Sequence, residues 1–95
     1  MNQLVLSACI AGATALRYTP AGLPAIDLQL EHESQLQETG QNRQVKAGIR
    51  AVAFGTLAET LGRQPIGSRW IFTGFLATPR TGKHAVLHIQ QFQPI

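Results

Sequence analysis

The sequence predicts an all-β fold: a five-stranded barrel with one short helix between the third and fourth strands. Three observations carry that expectation. Apolar and polar residues alternate over several short runs, as half-buried strands require. Glycine and proline clusters punctuate those runs at the spacing of a small barrel. Only Thr56 to Leu61 reads as helical, and it follows the third run.

The first run, Leu4 to Ala11, places Leu4, Leu6, Ala8 and Ile10 on one face. Gly12 marks a bend or bulge where a barrel strand must curve. Tyr18 to Pro24 is a turn, with proline and glycine where turns need them. The second strand alternates cleanly: Ile26, Leu28 and Leu30 point inward, and Asp27, Gln29 and Glu31 point outward. Glu33 to Arg43 is polar with Gly40 inside it and is expected as an exposed loop. The third strand, Gln44 to Phe54, has an inner series of Val45, Ala47, Ile49, Ala51 and Ala53. Its outer series holds Gln44, Lys46, Gly48, Arg50, Val52 and Phe54, two cations and a terminal ring on the solvent side.

Gly55 breaks that strand. Thr56 is expected to cap the helix, with Glu59 three residues on as in a capping box. Gly62 and Pro65 end it. The fourth strand is Arg69 to Ala77, with Trp70, Phe72 and Leu76 inward, Ile71, Thr73 and Phe75 outward, and a kink at Gly74. Thr78 to Lys83 forms a basic hairpin loop, and His84 to Phe92 is the fifth strand. Strands in this order, with the helix in this place, describe the five-stranded OB-fold Greek-key barrel. An SH3-like barrel and an open sandwich are the alternatives; the helix position argues against both.

The bulk properties narrow the function. The chain has 95 residues, the size of one domain, and 44% of them are hydrophobic, which excludes intrinsic disorder. No apolar run approaches a membrane span. The start lacks the basic and apolar regions of a secretory signal, so a cytoplasmic protein is expected. The only cysteine, Cys9, lies in an apolar run and is read as a small core hydrophobe. The net charge is +3 and unevenly placed. Every carboxylate lies at or before Glu59, whereas Arg63, Arg69, Arg80 and Lys83 follow it unopposed. A purely cationic C-terminal part suits a polyanion, though a solvated surface would look the same.

Catalytic residues are hard to place. Glu31-His32-Glu33 is the only dense polar cluster, and on a strand its carboxylates face away from its imidazole. His84 and His88 share a face of the expected strand but stand about 13 Å apart, too far to hold one ion. No nucleophilic triad and no phosphate-cradling glycine loop is present. No cofactor, metal or enzymatic activity is therefore expected.

Single-strand recognition fits better. Such proteins track the backbone with cations and stack bases on aromatic faces. The third strand offers Lys46, Arg50 and Phe54; the first loop offers Arg17 and Tyr18; the last loop offers Arg80 and Lys83 beside His84. In an OB fold these loops flank the binding face. Phe54 and Tyr18 have packing roles as the competing explanation, and Phe75 a subunit contact.

Several segments also resemble a known family. Leu16 to Gly22 is similar to the R-Y-x-P-x-G segment of bacterial single-stranded DNA-binding proteins, and Val52 to Glu59 to their V-x-F-G-x-L-A-E segment. Ile66-Gly67-Ser68 followed by Gly74 resembles their K-G-S strand. A shorter branch, the primosomal replication proteins N, resembles the chain along nearly its whole length. Asn2 to Ser7, Pro20 to Pro24, Leu30 to Ser34, Arg43 to Val45 and Val86 to His88 carry that likeness. The resemblance implies that residues 1–95 form one OB-fold domain that binds single-stranded DNA as a homodimer. It implies partnership with the PriA helicase and other primosome proteins in replication restart, no catalysis, and no cofactor or metal.

Two departures bear on the site. Lys46 stands where some members carry an aromatic, exchanging a stacking surface for a phosphate contact. Glu33 stands where a basic residue can occur. Recruitment through an acidic tail like that of the longer proteins is not expected. Two other readings are weighed against this one: a protein-interaction module with incidental DNA affinity, and an enzyme built on Glu31 and His32. The first strand, with Val5, Ser7 and Cys9 on its second face, is the preferred dimer surface.

Overall fold

A computed structural model describes all residues, Met1 to Ile95. In chain order the elements are β1 (Leu4–Ala13), β2 (Arg17–Tyr18), β3 (Pro24–Glu38), β4 (Gln41–Phe54), α1 (Thr56–Gly62), β5 (Arg69–Ala77) and β6 (Val86–Pro94). The sheet runs β1-β5-β6-β4-β3-β2, and an added β1–β3 pairing closes five of these strands into a barrel. The β4–β6 contact is parallel and short, at Ala51↔Leu87 and Val52↔His88; the other pairs are antiparallel. This is the predicted OB-fold barrel, with its helix between the third and fourth long strands.

The barrel closes because one face of each strand is apolar. Ala8, Ile10, Ile26, Leu28, Leu30, Ala51, Ala53, Phe72, Leu87 and Ile89 meet inside it. Helix α1 covers one end with Ala58 and Leu61. Two bends let the strands curve around this core. The β1–β3 register shifts between Ile10 and Gly12, and the β5–β6 register shifts between Thr73 and Gly74. At Gly74 the backbones approach so closely that a Cβ would collide with the carbonyl of His88. Glycine is required there, since a bulge draws the partner strand in.

Several expectations need correction: Cys9 is half-buried and lines a groove rather than joining the core, and Leu76, expected inward, is exposed beyond the register shift at Gly74. Glu33 to Arg43 is not a loop. Residues 32–38 of β3 and 41–47 of β4 pair with each other and with no other strand, forming an arm that leaves the barrel. At about 3.3 Å per residue the arm is roughly 23 Å long, within a molecule measuring 50 × 29 × 21 Å. Its turn is Thr39-Gly40, at φ 50° and 78°. Positive φ at both central residues is what a tight two-residue hairpin demands.

The helix cap also differs. Gly55, at φ 73°, takes the N-cap position and no side chain caps the helix. Thr56 is already inside it, because only glycine accepts the backbone conformation that turns β4 into α1. Part of the expected Tyr18–Pro24 turn is strand, with Tyr18 ending β2, which pairs with the start of β3. Lastly, His84 lies in the exposed loop before β6, so it does not share a strand face with His88.

Candidate nucleic-acid interface

The outer face of β4 is the spine of the site. Strand alternation puts Lys46, Gly48, Arg50, Val52 and Phe54 on one side, and all but Val52 are exposed. Val52 is only 6% exposed although it faces outward. It is paired with Asp27 on one side and His88 on the other, so neighbouring side chains roof it over.

That roof is aromatic. His88 stacks on Phe75 with ring centres 4.8 Å apart and planes at 15°. Phe54 approaches the opposite side of His88 at 6.0 Å and 32°. Three strands thus contribute one row of rings, Phe54–His88–Phe75, with Val52 as its floor. Phe54 ends the row and is 38% exposed, so part of its surface is open to solvent. Tyr18, 66% exposed on β2, stands near the same edge, since Tyr18 pairs with Pro24 and Ala25 pairs with Phe54. Sequence reasoning assigned no part of the site to His88. Its outward position between the buried Leu87 and Ile89 was the available signal; its stacking partner depends on β5–β6 register.

The cations divide into two groups. Arg17 makes a two-pronged contact with Asp27, Nε to Oδ2 at 2.9 Å and Nη2 to Oδ1 at 3.2 Å. That hydrogen bond first, and the carboxylate's charge second, raise the pKa of the Arg17 guanidinium. Lys46 faces Glu33 across the β3–β4 ladder at 3.3 Å. Arg43 pairs with Glu38 near the tip of the arm. Arg50, Arg63, Arg69, Arg80 and Lys83 have no ion-pair partner.

Two open grooves flank the spine. One, of about 530 Å³, lies beside the β5–β6 loop and is lined by Thr14, Asp27, Gln29, Arg50, Pro79 and Val86 among others. It brings Arg50 next to the loop that carries Arg80, Lys83 and His84, all three exposed. The other, of about 570 Å³, lies at the root of the arm and includes Glu31, Glu33, Lys46 and Arg69. Lys46 and Arg50 therefore share a strand face but open onto different grooves.

His32, the other ring at that root, is tied down. Its Nδ1 lies 2.6 Å from the carbonyl of Ser7 and its Nε2 2.8 Å from the hydroxyl of Ser34. A carbonyl only accepts, so Nδ1–H donates to Ser7. The Nδ1 bond braces the arm against β1, and the Nε2 contact with Ser34 on the same strand holds the ring in place. No group of three or more His, Cys, Asp or Glu side chains converges as a metal site.

The outer face thus brings exposed cations, some of them without an ion-pair partner, beside a row of rings whose end is open to solvent. Residues 2–91 match a family model described as another single-strand binding protein family. The replication restart protein PriB of Bordetella pertussis is 47% identical over 96 residues, covering 100% of this chain and 90% of that protein. The chain belongs to the PriB group of single-strand binding proteins. PriB of Nitrosomonas europaea is 37% identical, over 94% of this chain and 83% of its own length. The structure of PriB from Ralstonia solanacearum superposes with a TM-score of 0.89 at 35% identity, covering 99% of this chain and 97% of that one. A single-stranded DNA binding protein from Thermus aquaticus, in a deletion mutant form, gives 0.79 at 26% identity over 100% of this chain and 50% of that one. The same barrel thus occurs in a PriB and in a single-stranded DNA binding protein.

Proposed function

We propose that this chain binds single-stranded DNA along the outer face of β4 and serves as an accessory component of the primosome in replication restart. The observation that carries the reading is the alignment of Lys46, Arg50 and Phe54 on that face, with Phe54 closing a row of rings. Arg17 and Tyr18 extend the surface on one side; Arg80, Lys83 and His84 extend it on the other. Cations follow the backbone while Phe54 and Tyr18 stack on bases, a mode that tolerates any sequence. We read residues 1–95 as one domain that binds without chemistry of its own and acts in the cytoplasm.

The PriA helicase and other primosome proteins are its partners in this reading, and it works as a homodimer. Support for self-association comes from β1. Its pairing with β3 covers only Cys9 to Ala13, because β3 departs into the arm. Leu4 to Ala8 are left with one unpaired edge, next to the exposed side chain of Val5. Exposed edges invite pairing with another strand.

The ion pairs of Arg17 and Lys46 favour a second reading, in which the same face chiefly docks a helicase and DNA affinity is slight. Titrating labelled single-stranded and double-stranded oligonucleotides over a range of salt, alongside the mass in solution, decides between them. Preferential single-strand binding with a log–log salt slope of about −0.7 per phosphate neutralised supports the first reading. Affinity no better for single strands than for duplex refutes it.

A further inference from the structure

The proposed binding face carries a competitor for the phosphate it would hold. Asp27 occupies both prongs of the Arg17 guanidinium, and the pair is exposed on both sides. Exposed pairs are weak, so a phosphate could displace the carboxylate from Arg17 at little cost. The displaced carboxylate has nowhere distant to go. Thr14 fixes the Asp27 backbone from both directions: its hydroxyl accepts from the Asp27 N–H at 3.2 Å, and its own N–H donates to the Asp27 carbonyl at 3.0 Å. Asp27 also lines the groove that Arg50 lines. A phosphate held there by Arg50 would have the Asp27 charge beside it, and Arg17 stands on the other side of that carboxylate.

We propose that Asp27 holds Arg17 in reserve and so keeps single-strand affinity below what the cations of this face allow. Asp27 is thus a tuning residue: it lowers affinity and flattens the dependence on salt, because a cation already matched by a carboxylate releases fewer counterions on binding DNA. This inference rests on the single-strand reading above.

The test is fluorescence anisotropy with labelled oligo(dT) across a salt series, on wild type, Asp27→Asn, Arg17→Ala, the double variant, and Glu59→Gln. Asparagine keeps the backbone bonds to Thr14; Asp27→Ser serves if it folds poorly, with circular dichroism as the check. Glu59 lies on α1 and removes one negative charge away from the groove. Asp27→Asn is expected to bind about two- to fivefold tighter, the scale of one exposed ion pair, with a slope steeper by about 0.7. Glu59→Gln should gain much less. In the Arg17→Ala background the gain from Asp27→Asn should shrink markedly, which a general charge effect would not do. An Asp27→Asn gain equal to that of Glu59→Gln, or undiminished without Arg17, overturns the proposal while wild-type binding leaves the functional reading standing. Wild type without single-strand preference overturns that reading, and Asp27→Asn also failing to gain then overturns both.

Discussion

At the scale of single residues, Phe54 and Arg50 sit two apart in the same outward series yet make separable contributions. Phe54 offers a ring supported from behind by His88 and Phe75, so it is held in place for stacking rather than free to fold against the surface. Phe54→Ala is expected to lose about 1–3 kcal/mol of single-strand affinity. The salt slope should stay unchanged, because no phosphate contact is removed. Arg50→Ala should do the reverse: a modest loss at high salt, a larger one at low salt, and a slope flatter by about 0.7. Anisotropy titrations at three or more salt concentrations separate the two signatures. If Phe54→Ala flattened the slope, or Arg50→Ala left it unaltered, the assignment of ring to base and cation to phosphate would be wrong.

At the scale of elements, the tightest constraint lies where β5 crosses β6. Gly74 is buried against the His88 carbonyl, so Gly74→Ala must push the strands apart or move His88. The cost expected is that of overpacking, about 1–3 kcal/mol, read as a lower urea midpoint. His88 carries the middle ring of the aromatic row, so the same variant should weaken DNA binding although it touches no DNA. The barrel strands and α1 were legible in the sequence because each buries one face and exposes the other. Leu28 and Leu30 against Asp27 and Gln29 are unambiguous in this respect. Most of the arm was not legible, because beyond Glu31 β3 leaves the core and is wet on most of both faces; Gln35 and Gln37 carry no periodic signal, and only the return from Gln44 read as strand. Its turn uses threonine at a positive φ, a residue that rarely announces such a turn. The candidate cations were legible as residue types, but their partners were not. Arg17 meets Asp27, and His88 meets Phe75, through β-ladder registers that no local pattern encodes.

At the scale of the whole molecule, the arm and the unpaired edge of β1 are two results of one event. When β3 leaves the barrel after Glu31, it exposes the edge that it would otherwise have covered. His32 repairs only one rung of that edge, by donating to the Ser7 carbonyl. The rest, from Leu4 to Leu6, stays open beside Val5, which is 61% exposed. On the other edge β1 is held firmly: Val5 pairs with Thr73, and the Asn2 side chain extends the ladder with bonds to both Leu76 backbone groups at 2.7 and 2.9 Å. A strand fixed on one side and free on the other is a template for a second copy. An antiparallel pairing of two such edges would place the binding faces of two barrels on one continuous sheet, doubling the cations a long strand can reach. Val5→Asp puts a charge beside that seam on both copies, where like charges directly opposed destabilise a strand pair. Because Val5 lies outside the core, the barrel itself should survive. The expected outcome is a protein with an unchanged circular dichroism spectrum, half the mass in sedimentation, and markedly weaker binding to a long oligonucleotide than to a short one when each is compared with wild type. A mass that Val5→Asp leaves unaltered would place the contact elsewhere than β1.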